Sequence, residues 1–375
     1  MKNNQLISTQ MTQMKQIVAD FFIICVNPTN LRYLRAKKPL YFAFLIQFCL
    51  AGCIERYHPQ MEEIDKILAV EGIVTDGITK IALSYSVGLD KDLNKTTTEN
   101  QAVVYVESED GTKSAMTNSS GDGIYLIETG ELNAGAKYRL VIQLAGEEYH
   151  SSFIAPAITP PVEISYIYDS VKSNISIRVS TTGDANQPGY YLWSYKEDWE
   201  IHALVYEQLF HNLYYCWRTD SSKVMLLGAT EKLSMNTIRE REIKTFNCTD
   251  DRIFFLYRIK VKQNVLNKEG YDYFENLQKN TEQTGSILGS IPSELTGNIR
   301  CVSNPRIPVI GYVDVSTTTT DELYLTNKYY DRRYRDWQIT TCNGKDAVQL
   351  YQYCRDCTQN AGTKRKPIDW PNDHQ

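Results

Sequence analysis

The chain has 375 residues, a length that predicts two domains or one large domain. Hydrophobic residues make up 42% of the sequence and charged residues 23%, a globular composition that excludes wholesale disorder. The net charge of −5 argues against a nucleic-acid partner, because proteins that bind nucleic acid are usually basic. Tyrosine is frequent, with 26 residues, and it favours strands and binding surfaces.

The first 52 residues have the three parts of an export signal. Basic residues between Arg32 and Lys38 precede a short apolar run, Tyr41–Leu50, and small residues follow it. The apolar run is far shorter than the roughly 20 residues that a membrane-spanning helix needs. We therefore predict a signal peptide over residues 1–52, and its length favours translation from a start codon downstream of Met14.

The signal ends in Leu50-Ala51-Gly52-Cys53, which resembles the bacterial lipobox. By that resemblance Cys53 receives the lipid, the chain is cut before it, and residues 53–66 tether the body to a membrane. Several acyl chains on one cysteine suffice for stable anchoring. The alternatives are a secretory signal with a chance cysteine and a cytoplasmic protein with a misassigned start.

Cysteine usage fits an exported protein. The remaining candidates for disulfides are Cys216, Cys248, Cys301, Cys342, Cys354 and Cys357. An even number in an exported chain predicts structural disulfides, and six cysteines allow fifteen pairings. The Cys354-x-x-Cys357 spacing also suits half of a zinc site or a redox pair. Zinc would need a second ligand pair, which the sequence does not offer, so we predict no metal site and no cofactor.

Short strand-like runs separated by turn signals begin at Ile67. Asp76-Gly77, Asp110-Gly111 and Asp122-Gly123 supply residues that tolerate the backbone of tight turns. Six or seven short strands at hairpin spacing predict a β-sandwich over residues 67–157. The predicted fold class is therefore mainly β, beginning with a sandwich of the immunoglobulin-like or carboxypeptidase-regulatory-like kind.

Prolines at 156, 160 and 161 mark a predicted boundary, because proline interrupts strand ladders and stiffens linkers. A second β-rich domain is predicted over residues 162–370, with one or two helices. The clearest helix covers residues 267–280. Asn267 is its predicted N-cap, and Tyr271, Phe274 and Leu277 share one face at a spacing of three.

The sequence contains no His-Glu-x-x-His, Gly-x-Ser-x-Gly or P-loop motif, and we expect no enzymatic activity. Aromatic clusters are the other candidates for function, although strand aromatics more often pack a core. The predicted binding residues form one polar and aromatic run in an otherwise acidic chain. They are Tyr329, Tyr330, Arg332, Arg333, Tyr334 and Trp337.

Several segments together resemble one family. They are Leu68-Ala69-Val70-Glu71-Gly72, Gly135–Leu140, Cys216-Trp217, Val309–Tyr312, Cys354–Cys357 and Lys366–Trp370. With the lipobox, their order resembles the Bacteroidota lipoproteins grouped as domain of unknown function 4249. The resemblance implies lipid attachment at the outer membrane, on a side that stays undecided, and association with TonB-dependent receptors of the SusC-like kind.

The expected function is that of a non-enzymatic accessory or ligand-capture subunit of such a transporter. An adhesin or envelope-assembly lipoprotein is the first alternative. A hydrolase whose site the sequence does not reveal is the second. Carboxylates or histidines that converge in a cleft would favour the hydrolase.

Overall fold

The computed structural model describes residues 67–85, 97–117, 121–206, 208–283, 297–333, 336, 339, 342 and 354–371. The predicted signal peptide, the predicted lipid site Cys53 and the tether lie outside the described residues. Within the described ranges, no helix is both long and apolar enough to cross a bilayer.

Eight strands precede the proline-containing segment. They are β1 (Leu68–Val74), β2 (Gly77–Tyr85), β3 (Thr97–Thr98), β4 (Val103–Ser108), β5 (Ala115–Thr117), β6 (Ile124–Gly130), β7 (Tyr138–Leu144) and β8 (Glu147–Ser151). β2 shows why these runs form strands. Thr79, Ile81 and Leu83 are buried while Lys80 between them is exposed, which is the alternation of a strand with one face on a core.

Ten further strands and one described α-helix follow. They are β9 (Val162–Asp169), β10 (Asn174–Thr182), β11 (Tyr190–His202), β12 (Tyr215–Ser221), β13 (Leu226–Ala229), β14 (Thr237–Asn247), β15 (Leu256–Val265), α1 (Lys268–Gln283), β16 (Ile299–Cys301), β17 (Val309–Val315) and β18 (Thr318–Thr326). The prediction of a mainly β, sandwich-type fold is confirmed.

Two sheets form the first sandwich. One has the order β17-β1-β2-β6-β5, with β3 beside β2, and the other has the order β16-β8-β7-β4. Their apolar faces meet in one core that includes Ile81, Val104, Leu140 and Val313. β17 pairs with β1 in parallel, and its Gly311 has a φ of 151°. A Cβ there would lie 2.4 Å from the carbonyl oxygen of Val70, so only glycine fits.

Two other sheets form the second sandwich. One has the order β14-β10-β9, and the other has the order β12-β11-β15-β18, with β13 also beside β11. Their shared core contains Ile175, Ile177, Trp193 and Val261. The last described segment is held on this sandwich, because the Arg258 guanidinium bonds to Asp198 at 2.8 Å and to the carbonyl oxygen of Ile368.

The predicted division at residues 157 and 162 differs from the structure. β16 and β17 come after the second sandwich has begun, yet they pair with β8 and β1 of the first one. The described residues belong to one compact unit, Glu63–Gln375. The reason is that both pairings, one parallel and one antiparallel, join strands far apart in the chain, so no local turn signal predicts them.

The predicted helix is confirmed, with α1 at Lys268–Gln283 against the expected 267–280. Asn267 is its N-cap, because its Oδ1 accepts the amide hydrogen of Gly270 at 2.7 Å. Tyr273 and Phe274 are buried, and Tyr271 and Leu277 pack beside them. This third core also contains residues of both sandwiches, so α1 packs where the two meet.

One end of the second sandwich is built by connecting loops, and we call it the outer end. β15 begins there with Leu256 opposite Thr326, the last residue of β18. The Cys248 amide donates to the Ser173 carbonyl oxygen in the β9–β10 turn, and the Asp331 amide donates to the carbonyl oxygen of Cys248. Since α1 follows the other end of β15, the outer end lies away from the third core.

Candidate binding cleft

A cleft of about 460 Å³ opens at the outer end of the second sandwich. Its lining is polar apart from one aromatic ring and consists of Trp199, Arg218, Thr249, Asp250, Asp251 and Arg252. Trp199 and Arg218 face each other across the β11–β12 pair. The other four residues belong to the loop between β14 and β15. The cleft therefore lies between a strand pair and a loop.

The loop has a defined shape because it contains one turn of 3₁₀-helix, Asp251–Ile253. Asp250 caps this turn by accepting the amide hydrogen of Arg252 at 3.0 Å. The same carboxylate accepts a second hydrogen bond from Nη1 of Arg252 at 2.7 Å. Ile253 is fully buried in the second core and anchors the turn. The cleft wall is thus held by both polar and apolar contacts.

Arg252 is positioned by several groups at once. Its guanidinium lies over the Trp199 ring, 4.8 Å from the ring centre. Its Nε is 3.6 Å from Oε1 of Glu197. Burial by itself would lower the pKa of Arg252, but the charges of Asp250 and Glu197 outweigh it and raise that pKa. Arg252 therefore stays charged, and its neighbours restrict its orientation.

Behind the cleft, Glu197 is 0% exposed and lies between the two sheets of the second sandwich. Tyr257 donates its hydroxyl hydrogen to Oε1 at 2.7 Å, and Lys244 of β14 brings its Nζ to 3.3 Å from Oε2. Burial, reinforced by the Glu197 charge, raises the pKa of Tyr257 well above its ordinary value. We call Glu197, Lys244, Arg252 and Tyr257 the buried charge network. It supports the cleft from the core side.

Several nitrogens of the lining lack an acceptor. The Trp199 side chain is only 6% exposed, and its Nε1 has no hydrogen-bond partner. The Nε atoms of Arg218 and Arg252 also have none. The Arg218 guanidinium is 3.9 Å from the Asp251 carboxylate, which is an ion pair without a direct hydrogen bond. Chemically, this arrangement suits hydrogen bonding and ion pairing with a ligand.

A family model described as a domain of unknown function, DUF4249, matches residues 54–322, a range that contains every lining residue of the cleft. The chain belongs to the DUF4249 family. No curated protein matches it. The resemblance seen in the sequence is therefore confirmed at the level of the family.

Part of the predicted binding run lies at the outer end of this DUF4249 protein. Tyr329 is half-buried and stacks on Tyr168 of β9, with ring centres 4.5 Å apart. Its hydroxyl is 3.4 Å from that of Tyr166. Arg332 and Arg333 are exposed, and Arg333 binds the carboxylate of Asp331.

One correction applies to that run. Tyr330 is a core residue, 8% exposed, with its ring edge against Phe254 at 4.6 Å, so it does not belong to an exposed patch. The backbone turns after Tyr329, which places neighbouring tyrosines in different environments. Tyr334 and Trp337 lie outside the described residues.

The sequence did not predict the cleft. Trp199 ends an aromatic run that also contains Tyr191, Trp193 and Tyr195. All four are buried in the structure, as expected of aromatic residues in a strand. Nothing in the spacing of Trp199, Arg218 and Arg252 shows that they meet. One sequence signal does point to the site: the run Thr249-Asp250-Asp251-Arg252 concentrates charge in one short loop.

Four of the six candidate cysteines form disulfides, Cys216–Cys357 and Cys342–Cys354. Cys248 and Cys301 are buried free thiols, which corrects their prediction as disulfide candidates. They belong to different cores, Cys248 to the second sandwich and Cys301 to the first, so they cannot meet. Cys354 and Cys357 do not pair with each other, because each forms a disulfide with a different cysteine. The described residues contain no cluster of three metal-binding side chains.

Proposed function

We propose that this DUF4249 protein is a lipid-anchored, non-enzymatic accessory subunit of a TonB-dependent, SusC-like transporter, and that it captures a ligand in the cleft. The observation that carries the proposal is the cleft itself. Its wall presents two guanidinium groups, two carboxylates, one indole and one threonine, on a strand pair and a loop that the core holds in place. Groups held in position before binding lose little entropy when a ligand arrives.

Other features support the cellular setting. The Leu50-Ala51-Gly52-Cys53 sequence supports export and lipid attachment. The two disulfides suit an oxidising compartment outside the cytoplasm. The proposed location is the outer membrane.

The proposed mechanism separates the anchor from the cleft. The described body begins at β1 in the first sandwich, whereas the cleft lies at the outer end of the second one. A lipid on Cys53 would confine the protein to the membrane surface and raise its effective concentration near a transporter. The exposed Arg332 and Arg333 and the half-buried Tyr329, which also lie at the outer end, offer contacts to such a partner.

The test is a pull-down of the tagged full-length protein from mildly solubilised outer membrane, followed by mass spectrometry. We expect a β-barrel receptor in stoichiometric amount. A control strain carries the same tag on an unrelated lipoprotein. If the protein is recovered without a barrel, the transporter association is wrong, and an adhesin or envelope-assembly role takes its place.

A further inference from the structure

Among the buried side-chain atoms of the cleft lining, those without a hydrogen-bond partner are all donors. Trp199 Nε1 and the Nε atoms of Arg218 and Arg252 have no acceptor. Asp250, by contrast, already accepts from the amide and from Nη1 of Arg252. A buried donor without a partner costs about 1–3 kcal/mol, and a ligand with strong acceptor atoms removes that cost. The cleft therefore favours a ligand rich in acceptors.

Ring stacking is not the main mode of recognition here. The Arg252 guanidinium covers one face of the Trp199 ring, and the side chain as a whole is 6% exposed. A sugar ring would need a free aromatic face to stack on, and Trp199 does not present one. Its indole N–H is the group that it can contribute to a ligand.

Of the two arginines, Arg218 has the weaker internal partner. Arg252 is bound to Asp250 at 2.7 Å and lies close to Glu197. The guanidinium of Arg218 is 3.9 Å from Asp251, and its side chain is 26% exposed. A guanidinium binds a planar carboxylate through two parallel hydrogen bonds, which is stronger and more selective than a bond to a hydroxyl.

We infer that the cleft binds a carboxylate group of the ligand, with Arg218 as its cationic partner and the Trp199 indole N–H beside it. This inference rests on the proposed role of the cleft in ligand capture. The carboxylate belongs either to an acidic sugar or to a peptide. Asp250 does not oppose it, because Arg252 neutralises that residue. The ligand carboxylate competes with Asp251, which lies 3.9 Å from the Arg218 guanidinium without a direct hydrogen bond.

The test uses isothermal titration calorimetry on the full-length protein in detergent. The probes are D-glucuronate with D-glucose, and N-acetylglycylglycine with its amide, so that each pair differs at the carboxylate. We expect an acid to bind at least about tenfold more tightly than its neutral counterpart, and the pair that responds identifies the source. Equal binding of acid and neutral probe, or no binding of any probe at millimolar concentration, would overturn the inference.

Variants assign the role to its residues. Arg218→Gln should weaken binding of the acidic probe by at least about tenfold, because a charge-assisted pair is lost. Arg218→Lys should restore part of it. Trp199→Phe keeps an aromatic ring and removes the N–H, and it should weaken binding less. The matched control is Arg239→Gln, an exposed arginine on β14 outside the cleft lining, which should bind like the unaltered protein. An unaltered affinity in Arg218→Gln would contradict the assignment.

The two proposals fail separately. Arg218→Gln should still recover the barrel in the pull-down, because the tether does not involve the cleft. A barrel recovered with a protein that binds no carboxylate overturns the ligand assignment alone. Carboxylate binding by a protein that recovers no barrel overturns the transporter association alone.

Discussion

Neutralising Glu197 tests whether the buried charge network stabilises the fold. Glu197→Gln keeps the side-chain volume and can still accept the Tyr257 hydroxyl hydrogen, so little packing is lost. It removes the negative charge that lies 3.3 Å from Lys244 Nζ and 3.6 Å from Arg252 Nε. Those two cations then lose their shared counter-charge inside the sandwich.

The expected loss follows from the burial of the three charges. Breaking a buried ion pair costs about 3–5 kcal/mol. Glu197 is completely buried, but the Lys244 and Arg252 side chains are 22% and 21% exposed and so keep some hydration. The lower end of the range therefore applies, about 3 kcal/mol. Since the unfolding entropy is about 2.1 cal/mol/K per residue, we expect the melting temperature of a folded body of roughly 300 residues to fall by about 5 °C.

The assay is urea unfolding followed by tyrosine and tryptophan fluorescence, with the midpoint and slope fitted separately. Glu240→Gln is the matched control, because Glu240 pairs with Arg178 at 3.5 Å but is 61% exposed. Its midpoint should barely change, since surface ion pairs contribute about 0–1 kcal/mol. The double variant Glu197→Gln with Lys244→Met should be less destabilised than the sum of its single variants. Equal midpoints for Glu197→Gln and Glu240→Gln would refute the reasoning.

Three other predictions follow from the structure and the sequence. Burial raises the pKa of Asp314 to about 6, although hydrogen bonds from the Asn267 and Val315 amides act in the opposite direction. The folded protein therefore holds this proton more tightly than the unfolded chain does. The resulting contribution to stability is lost as the pH rises from about 4 to 6. Asp314→Asn should remove that dependence in melting temperatures measured across the interval, and an unchanged pH profile would contradict the assignment. Replacing the disulfide Cys216–Cys357, which spans 141 residues, should lower the free energy of unfolding by about 4–5 kcal/mol. This loss should exceed the loss from replacing Cys342–Cys354, which spans 12 residues. Urea unfolding measures both losses, and the reverse order would count against the loop-entropy account. Cys53→Ala should move the protein from the membrane to the soluble fraction on centrifugation, and a variant that stays with the membrane would show that lipid on Cys53 is not the anchor.

Features governed by near neighbours could be predicted from the sequence. Helix α1 was expected from Asn267 and from the spacing of Tyr271, Phe274 and Leu277, because capping and helical periodicity act within a few residues. The strands were expected for the same reason, since alternation along a run reflects one buried face. The core position of Tyr191 and Trp193 also followed from their place in a strand.

The candidate site depended on distant neighbours and could not be predicted. Trp199, Arg218 and Arg252 meet only because β11 pairs with β12 and the β14–β15 loop folds over their end. Tyr330, by contrast, was predicted to be a binding residue and lies in the core. Its run looked like a surface patch, but the chain after β18 turns it against Phe254.

By itself, the sequence determined the mainly β class, the helix and membership of the DUF4249 family, because these follow from local patterns and motif order. Only the tertiary structure decided that β17 returns to pair with β1, that Cys216 bonds Cys357 while Cys248 and Cys301 stay free, and that a polar cleft forms at the outer end. The physical reason is distance along the chain. Contacts between segments tens to hundreds of residues apart depend on the packing of whole sheets, and no short stretch of sequence specifies that packing.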